Sequence, residues 1–91
     1  MRESVIETYA IKRFTAIGRE IRKVKWIGRN GAPDRRVMGF AWIEFKATGK
    51  KPEPHQEREI ARMRKHGERV EVVDSLERVE ELIDEIAGEE D

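Results

Sequence analysis

Apolar positions recur along this chain with two different periods. Over residues 3–17, Ile6, Ala10, Ile11, Phe14 and Ile17 fall on one arc of a helical wheel, and Gly18 supplies a stop. Residues 20–27 alternate loosely through Ile21, Val24, Trp26 and Ile27, which predicts a strand. The turn-rich stretch Gly28-Arg29-Asn30-Gly31-Ala32-Pro33 follows. Residues 34–39 and 41–47 then read as two strands of a hairpin about Gly39, and 48–53 as a second loop carrying Gly49 and Pro52. Pro54 suits the first turn of a helix that runs to about His66 and ends at Gly67. Arg69 to Val73 is a short apolar strand. Asp74 with Glu77 three residues later has the form of a capping box, with Asp in the Ser/Thr place. The last helix is expected to bury Leu76, Val79, Leu82, Ile83 and Ile86, leaving Gly88 to Asp91 as a frayed acidic tail. The order α-β-β-β-α-β-α, without repeats or linkers, predicts one α/β domain over 1–91, with a mixed sheet flanked by helices.

Composition narrows the chemistry. Ninety-one residues allow a single small core, and 42% charged residues imply a heavily solvated surface around it. The absence of cysteine excludes disulfides, thiolate metal sites and a cysteine nucleophile. Glu3, Glu7, Lys12 and Arg13 in the first helix rule that segment out as a signal peptide or a membrane span, so a soluble protein is expected. The net charge of zero conceals a split. Residues 1–51 hold 13 Lys/Arg against 5 Asp/Glu, and residues 52–91 hold 6 against 14. Such asymmetry suggests a polyanionic partner for the first half.

Two short strings carry the candidate chemistry, Gly31-Ala32-Pro33-Asp34 and Ile43-Glu44-Phe45-Lys46. Side chains alternate along a strand, so Trp42, Glu44 and Lys46 share one face while Ile43, Phe45 and Ala47 share the other. A lone Glu-x-Lys is an ordinary surface pair. Asp34 changes that, because Pro33 delivers it at a strand start opposite the neighbouring hairpin strand. Two converging carboxylates repel each other, and a divalent cation removes the cost. Oxygen donors favour Mg²⁺ or Mn²⁺ over zinc.

Glu7 lies inside the apolar arc of the first helix, where a carboxylate needs a partner; a metal, Lys46 or an arginine would serve. Glu3, one turn earlier, sits on the same arc and is an alternative. Gln56 shares a helix face with Ile60 and Met63, and its amide can serve an active-site group or the nearby backbone. Arg22, Lys23, Lys25, Arg29, Arg35, Arg36, Lys50 and Lys51 form the basic set; Arg29, Lys50 and Lys51 are in loops, positioned to meet phosphates either side of a cut. His55 and His66 lack the spacing of a metal pair, and Trp26 and Trp42 read as core or subunit contacts. The 28–31 loop has no P-loop lysine motif, so no nucleotide cofactor is expected.

Glu3-Ser4-x-x-Glu7, Lys25, Gly31-Ala32-Pro33-Asp34-Arg35, Glu44-Phe45-Lys46, Gly49-Lys50-Lys51-Pro52, Gln56 and Val72-Val73-Asp74-Ser75 together resemble the virus-type replication and repair nuclease (VRR-NUC) domain. The resemblance runs from about Glu3 to Val79; each string is unspecific, and their order and spacing carry it. Many members have Val where this chain has Ala32. The resemblance implies a restriction-endonuclease-like PD-(D/E)xK fold and a metal-dependent DNA endonuclease acting on branched DNA. Members of this size look like phage or prophage proteins, so the cytoplasm of a bacterial cell or phage-infected host is implied. They are expected to form homodimers that cut four-way (Holliday) junctions. By matching position, Asp34, Glu44 and the Phe45 carbonyl would hold Mg²⁺ or Mn²⁺. Lys46 would orient the attacking water, Glu7 would complete the site directly or through water, and Gln56 would support it. Lys25, Arg29, Arg35, Arg36, Lys50 and Lys51 would contact branched or double-stranded DNA. Three rival readings differ in substrate or chemistry: a flap- or end-processing nuclease, a DNA-binding module that does not cut, and an interaction protein whose acidic half binds a basic partner.

Overall fold

A computed structural model describes residues 1–90. Three helices and four strands follow in the expected order: α1 (Glu3–Ala16), β1 (Ile21–Lys23), β2 (Arg35–Val37), β3 (Ala41–Phe45), α2 (Pro54–Lys65), β4 (Val70–Val73) and α3 (Leu76–Glu90). The strands form one mixed sheet in the order β1-β2-β3-β4. β1–β2 and β2–β3 pair antiparallel, and β3–β4 pair parallel. The parallel pair needs a crossover, and α2 is that crossover.

The alternation of β3 sorts the layers. Ala41, Ile43 and Phe45 are buried with Ile6, Ala10 and Phe14 of α1 and Val79, Leu82, Ile83 and Ile86 of α3. A smaller cluster of Ile60, Met63 and Val70, with Trp26, Trp42 and Val72 packed against it, lies on the other face under α2. Two helices therefore cover one face and one covers the other, as the mixed sheet flanked by helices requires.

Three local expectations are corrected. β1 is shorter than 20–27. Its ladder continues as far as a bond from Val24 N–H to the Asp34 carbonyl at 2.8 Å. The chain then leaves the sheet, because the Trp26 indole turns in to donate to the Pro33 carbonyl at 2.8 Å and to pack against Trp42. The cap of α3 is Ser75, whose hydroxyl accepts from Arg78 N–H at 3.1 Å. Asp74 is occupied elsewhere, accepting from Gly49 N–H at 3.1 Å. α3 runs through Gly88 to Glu90, and Asp91, the end of the expected tail, lies outside the described residues. Leu76, expected in the core, is only half-buried at its rim.

Candidate active site

The hairpin register builds the site. Arg35 pairs with Ile43, so one further step places Asp34 across from Glu44. Both are at the end of the sheet where β3 finishes and β2 begins. Lys46 follows Glu44 by two residues on the same face, one position past the end of β3. The start of α1 is brought to this end by a bond from Thr48 N–H to the Met1 carbonyl at 3.0 Å. The start of α2 arrives there through the 48–53 loop. Thr48 and Gly49 pin that loop to Asp74, at 3.0 Å to its carbonyl and 3.1 Å to its carboxylate.

Glu44 records how crowded this corner is. Burial pushes its carboxyl up to about 7; Lys46 pulls it down, and Asp34, Glu3 and Glu7 push it up again. Four carboxylates and one ammonium thus share one electrostatic neighbourhood, drawn from α1, the residue before β2, and β3 with its C-terminal end. Lys46 is fixed by its other neighbour: its Nζ donates to Gln56 Oε1 at 2.7 Å. The same oxygen accepts from Glu53 N–H at 2.8 Å, at the N-terminus of α2. Gln56 therefore both caps its own helix and accepts from Lys46. The helix start and the lysine are coupled through one atom.

Other expected residues are placed differently. Glu7, which needed a partner, finds Arg35: the Arg35 Nε donates to Glu7 Oε2 at 2.9 Å, with the two side chains 17% and 29% exposed. Arg35 faces the α1 side of the sheet with Ile43, so it is engaged with Glu7 rather than presented to solvent. Arg36 faces the α2 side and lies 5.4 Å over the Trp42 ring. Arg29 reaches Glu59 at 3.7 Å. Lys25, Lys50 and Lys51 are exposed, as are Asp34, His55 and His66.

Glu59 was not picked out from the sequence. It is 4% exposed, the buried charged residue of the described chain, and Arg62 holds it at 2.8 and 3.0 Å. The signal was present: Glu59 stands on the same arc as Ile60 and Met63, the test that singled out Glu7 and Gln56. Asp74 was also missed as the loop anchor, because its position three residues before Glu77 suggested a cap.

The donor set suits a hard divalent cation. Asp34, Glu44 and the backbone carbonyl of Phe45 offer oxygen only, and the upward push on Glu44 is the cost that a cation relieves. Among the described residues, no three His, Asp or Glu side chains are gathered tightly enough to form a cage by themselves. A backbone carbonyl and water would have to complete the shell, which is the usual habit of Mg²⁺.

No family model matches the chain. It is 39% identical over 79 residues to a protein named "Putative nuclease p44" of Acyrthosiphon pisum secondary endosymbiont phage 1, covering 82% of this chain and 85% of that one. A solved structure titled "VRR_NUC domain" superposes with a TM-score of 0.73 at 40% identity, over 90% of this chain and 94% of the other.

Proposed function

We propose, from the premise that this chain belongs to the VRR-NUC family of PD-(D/E)xK-type nucleases, that it is a Mg²⁺- or Mn²⁺-dependent endonuclease that cuts branched DNA. The substrate favoured is a four-way junction, cut by a homodimer. The observation that carries the catalytic part is the half-buried Glu44, set among Asp34, Glu3 and Glu7 with Lys46 beside it and Lys46 tied to Gln56.

Asp34, Glu44 and the Phe45 carbonyl would hold the ion, with Glu7 contributing through water while Arg35 neutralises its other side. Such an ion, when bound, offsets charge on the scissile phosphate and makes water more acidic. The remaining work falls to the chain. Lys46 is a compact point charge beside the attacking water and the phosphate oxygens. Gln56 leaves it few other rotamers, so the charge is in place before substrate arrives. Lys25, Lys50 and Lys51 flank this corner in exposed segments. They hold the backbone either side of the cut without reading sequence. A twofold dimer would present two such corners to two strands, which a junction requires and one small domain does not supply.

A labelled four-way junction and the matching linear duplex, incubated with Mg²⁺, Mn²⁺ or EDTA, test this directly. Metal-dependent cutting of the junction, lost in Asp34→Ala and Lys46→Ala, is the expected result. Tight junction binding with no cutting in any metal would overturn the catalytic reading. Cutting confined to free ends or flaps would overturn the junction reading and leave the nuclease.

A further inference from the structure

The loop between β1 and β2 presents an apolar side chain that the cutting chemistry does not use. Ile27 is 94% exposed, against 58% for Met1, 48% for Val5 and 38% for Met38. An isoleucine left in water forgoes most of the stabilisation that burial would give it. It stands at the turn into Gly28, whose φ of +78° suits glycine and lets the chain reverse there.

The frame beneath this tip is fixed at several points. Trp26, its neighbour, donates to the Pro33 carbonyl at 2.8 Å and packs on Trp42 with ring centroids 5.0 Å apart. Arg29 reaches Glu59 of α2 at 3.7 Å. Gly31 lies so close to α2 that a Cβ there would meet the His55 carbonyl oxygen at 2.9 Å. The tip therefore projects from a braced base.

Beside the base runs a groove of about 440 Å³, whose lining includes Lys23, Lys25, Trp26, Arg29 and Asp34. Three cations and the candidate metal ligand thus line one groove, and Ile27 directly follows its Trp26 in the chain. Charge decides the occupant. A lone apolar side chain with Lys25, Arg29 and Asn30 within three residues of it in the chain is a poor centre for a protein contact, where interface cores are depleted of charge. The same cations are a good approach for a phosphate backbone.

We infer that Ile27 is a wedge that enters between adjacent bases of DNA lying in this groove, at or beside a branch point. The inference rests on the nuclease reading above and adds a source of substrate selectivity to it. Apolar side chains inserted at a base step unstack it, and that unstacking costs free energy. The cost is least where bases are already poorly stacked. A branch point is such a place and an intact duplex is not, so a wedge discriminates between them without reading sequence.

The test uses four-way DNA junctions carrying 2-aminopurine at successive steps from the branch point, with Ca²⁺ in place of Mg²⁺ so that the strands stay intact. Wild-type protein is expected to raise the fluorescence at one step by unstacking it. Ile27→Ala should abolish that rise and weaken junction binding by about tenfold, equivalent to about 1.4 kcal/mol, while Ile27→Leu should restore both. A rise that persists in Ile27→Ala overturns the wedge; the nuclease reading then stands if the variant still cuts. An Ile27→Ala protein that sediments as a monomer where wild type is a dimer, with fluorescence unchanged, also overturns it and assigns Ile27 to a second copy of the chain. Wild-type protein that neither binds nor cuts any junction or duplex overturns the nuclease reading, and the wedge falls with it.

Discussion

At the scale of single residues, Glu44 ties stability to pH in an unusual direction for a carboxylate. Its carboxyl titrates at about 7 in the fold and near 4.5 without it. The folded protein therefore holds a proton that the unfolded chain has released. The sign follows: stability falls as pH rises from about 4.5 through 7, and is unaffected by this group below that window. Glu44→Gln removes the effect. In EDTA at pH 8 the variant should be more stable than wild type. The ceiling implied by the shift is about 3 kcal/mol, and partial solvation of the site reduces it to about 1–2 kcal/mol. The gap should close by pH 5. Urea midpoints at the two pH values measure it, and equal gaps at both would remove Glu44 as the cause. Lys46 gives a second residue-scale expectation. Lys46→Ala should lower single-turnover cleavage by about 10²- to 10³-fold, the size of losing one preorganised electrostatic group. Gln56→Ala leaves the charge but frees its rotamers, so about a tenfold loss is expected. Equal losses in the two variants would mean that Gln56 does more than position Lys46.

At the scale of elements, the loop between β1 and β2 is held to α2 by two contacts that can be broken separately. Gly31→Ala meets both a φ of +85° and the His55 carbonyl, so a loss of about 2–4 kcal/mol is expected in thermal or urea unfolding. Glu59→Ala strips a buried partner from Arg62 and Arg29. Because those arginine side chains are 54% and 57% exposed, water can take over much of the loss, and about 1–2 kcal/mol is expected. A Gly31→Ala protein as stable as wild type would show that the loop does not rest on α2. The elements themselves were largely legible in the sequence. α1, α2 and the hairpin follow from periodicity, Pro54 and the glycines at 18, 39 and 67. β1 was overrun because Trp26 looks like one more alternating position, although its N–H seeks Pro33 and its ring seeks Trp42. The α3 cap was displaced by one residue because Asp74 and Ser75 can each cap, and only the loop at Gly49 shows which is already engaged. The site divides the same way. Glu44 and Lys46 share a face by alternation alone, and Asp34 follows from the hairpin. The partner of Glu7 was ambiguous, since choosing Arg35 over Lys46 requires knowing which side of the sheet each reaches.

At the scale of the whole molecule, charge is sorted by layer. α3 carries seven acidic residues and a single arginine, and it packs with α1 on the face of the sheet away from α2. Lys25 and Arg29 line the groove that Asp34 also lines, and Arg29 pairs with Glu59 of α2. Binding to DNA should therefore be strongly salt-dependent despite a net charge of zero. Replacing Lys50 and Lys51 together by alanine should flatten the slope of log K against log salt by about 2, if each neutralises one phosphate. An unchanged slope would exclude both from the contact. The acidic α3 has its own consequence for how an encounter begins. A polyanion approaching from behind the sheet would be repelled, and one approaching the α2 side drawn in, so the field would turn the protein before contact is made. The helix would thereby act as a rudder, and neutralising its acids other than Glu80 and Glu85, which are tied to Arg13 and Arg69, should slow productive arrival while leaving the bound state unchanged.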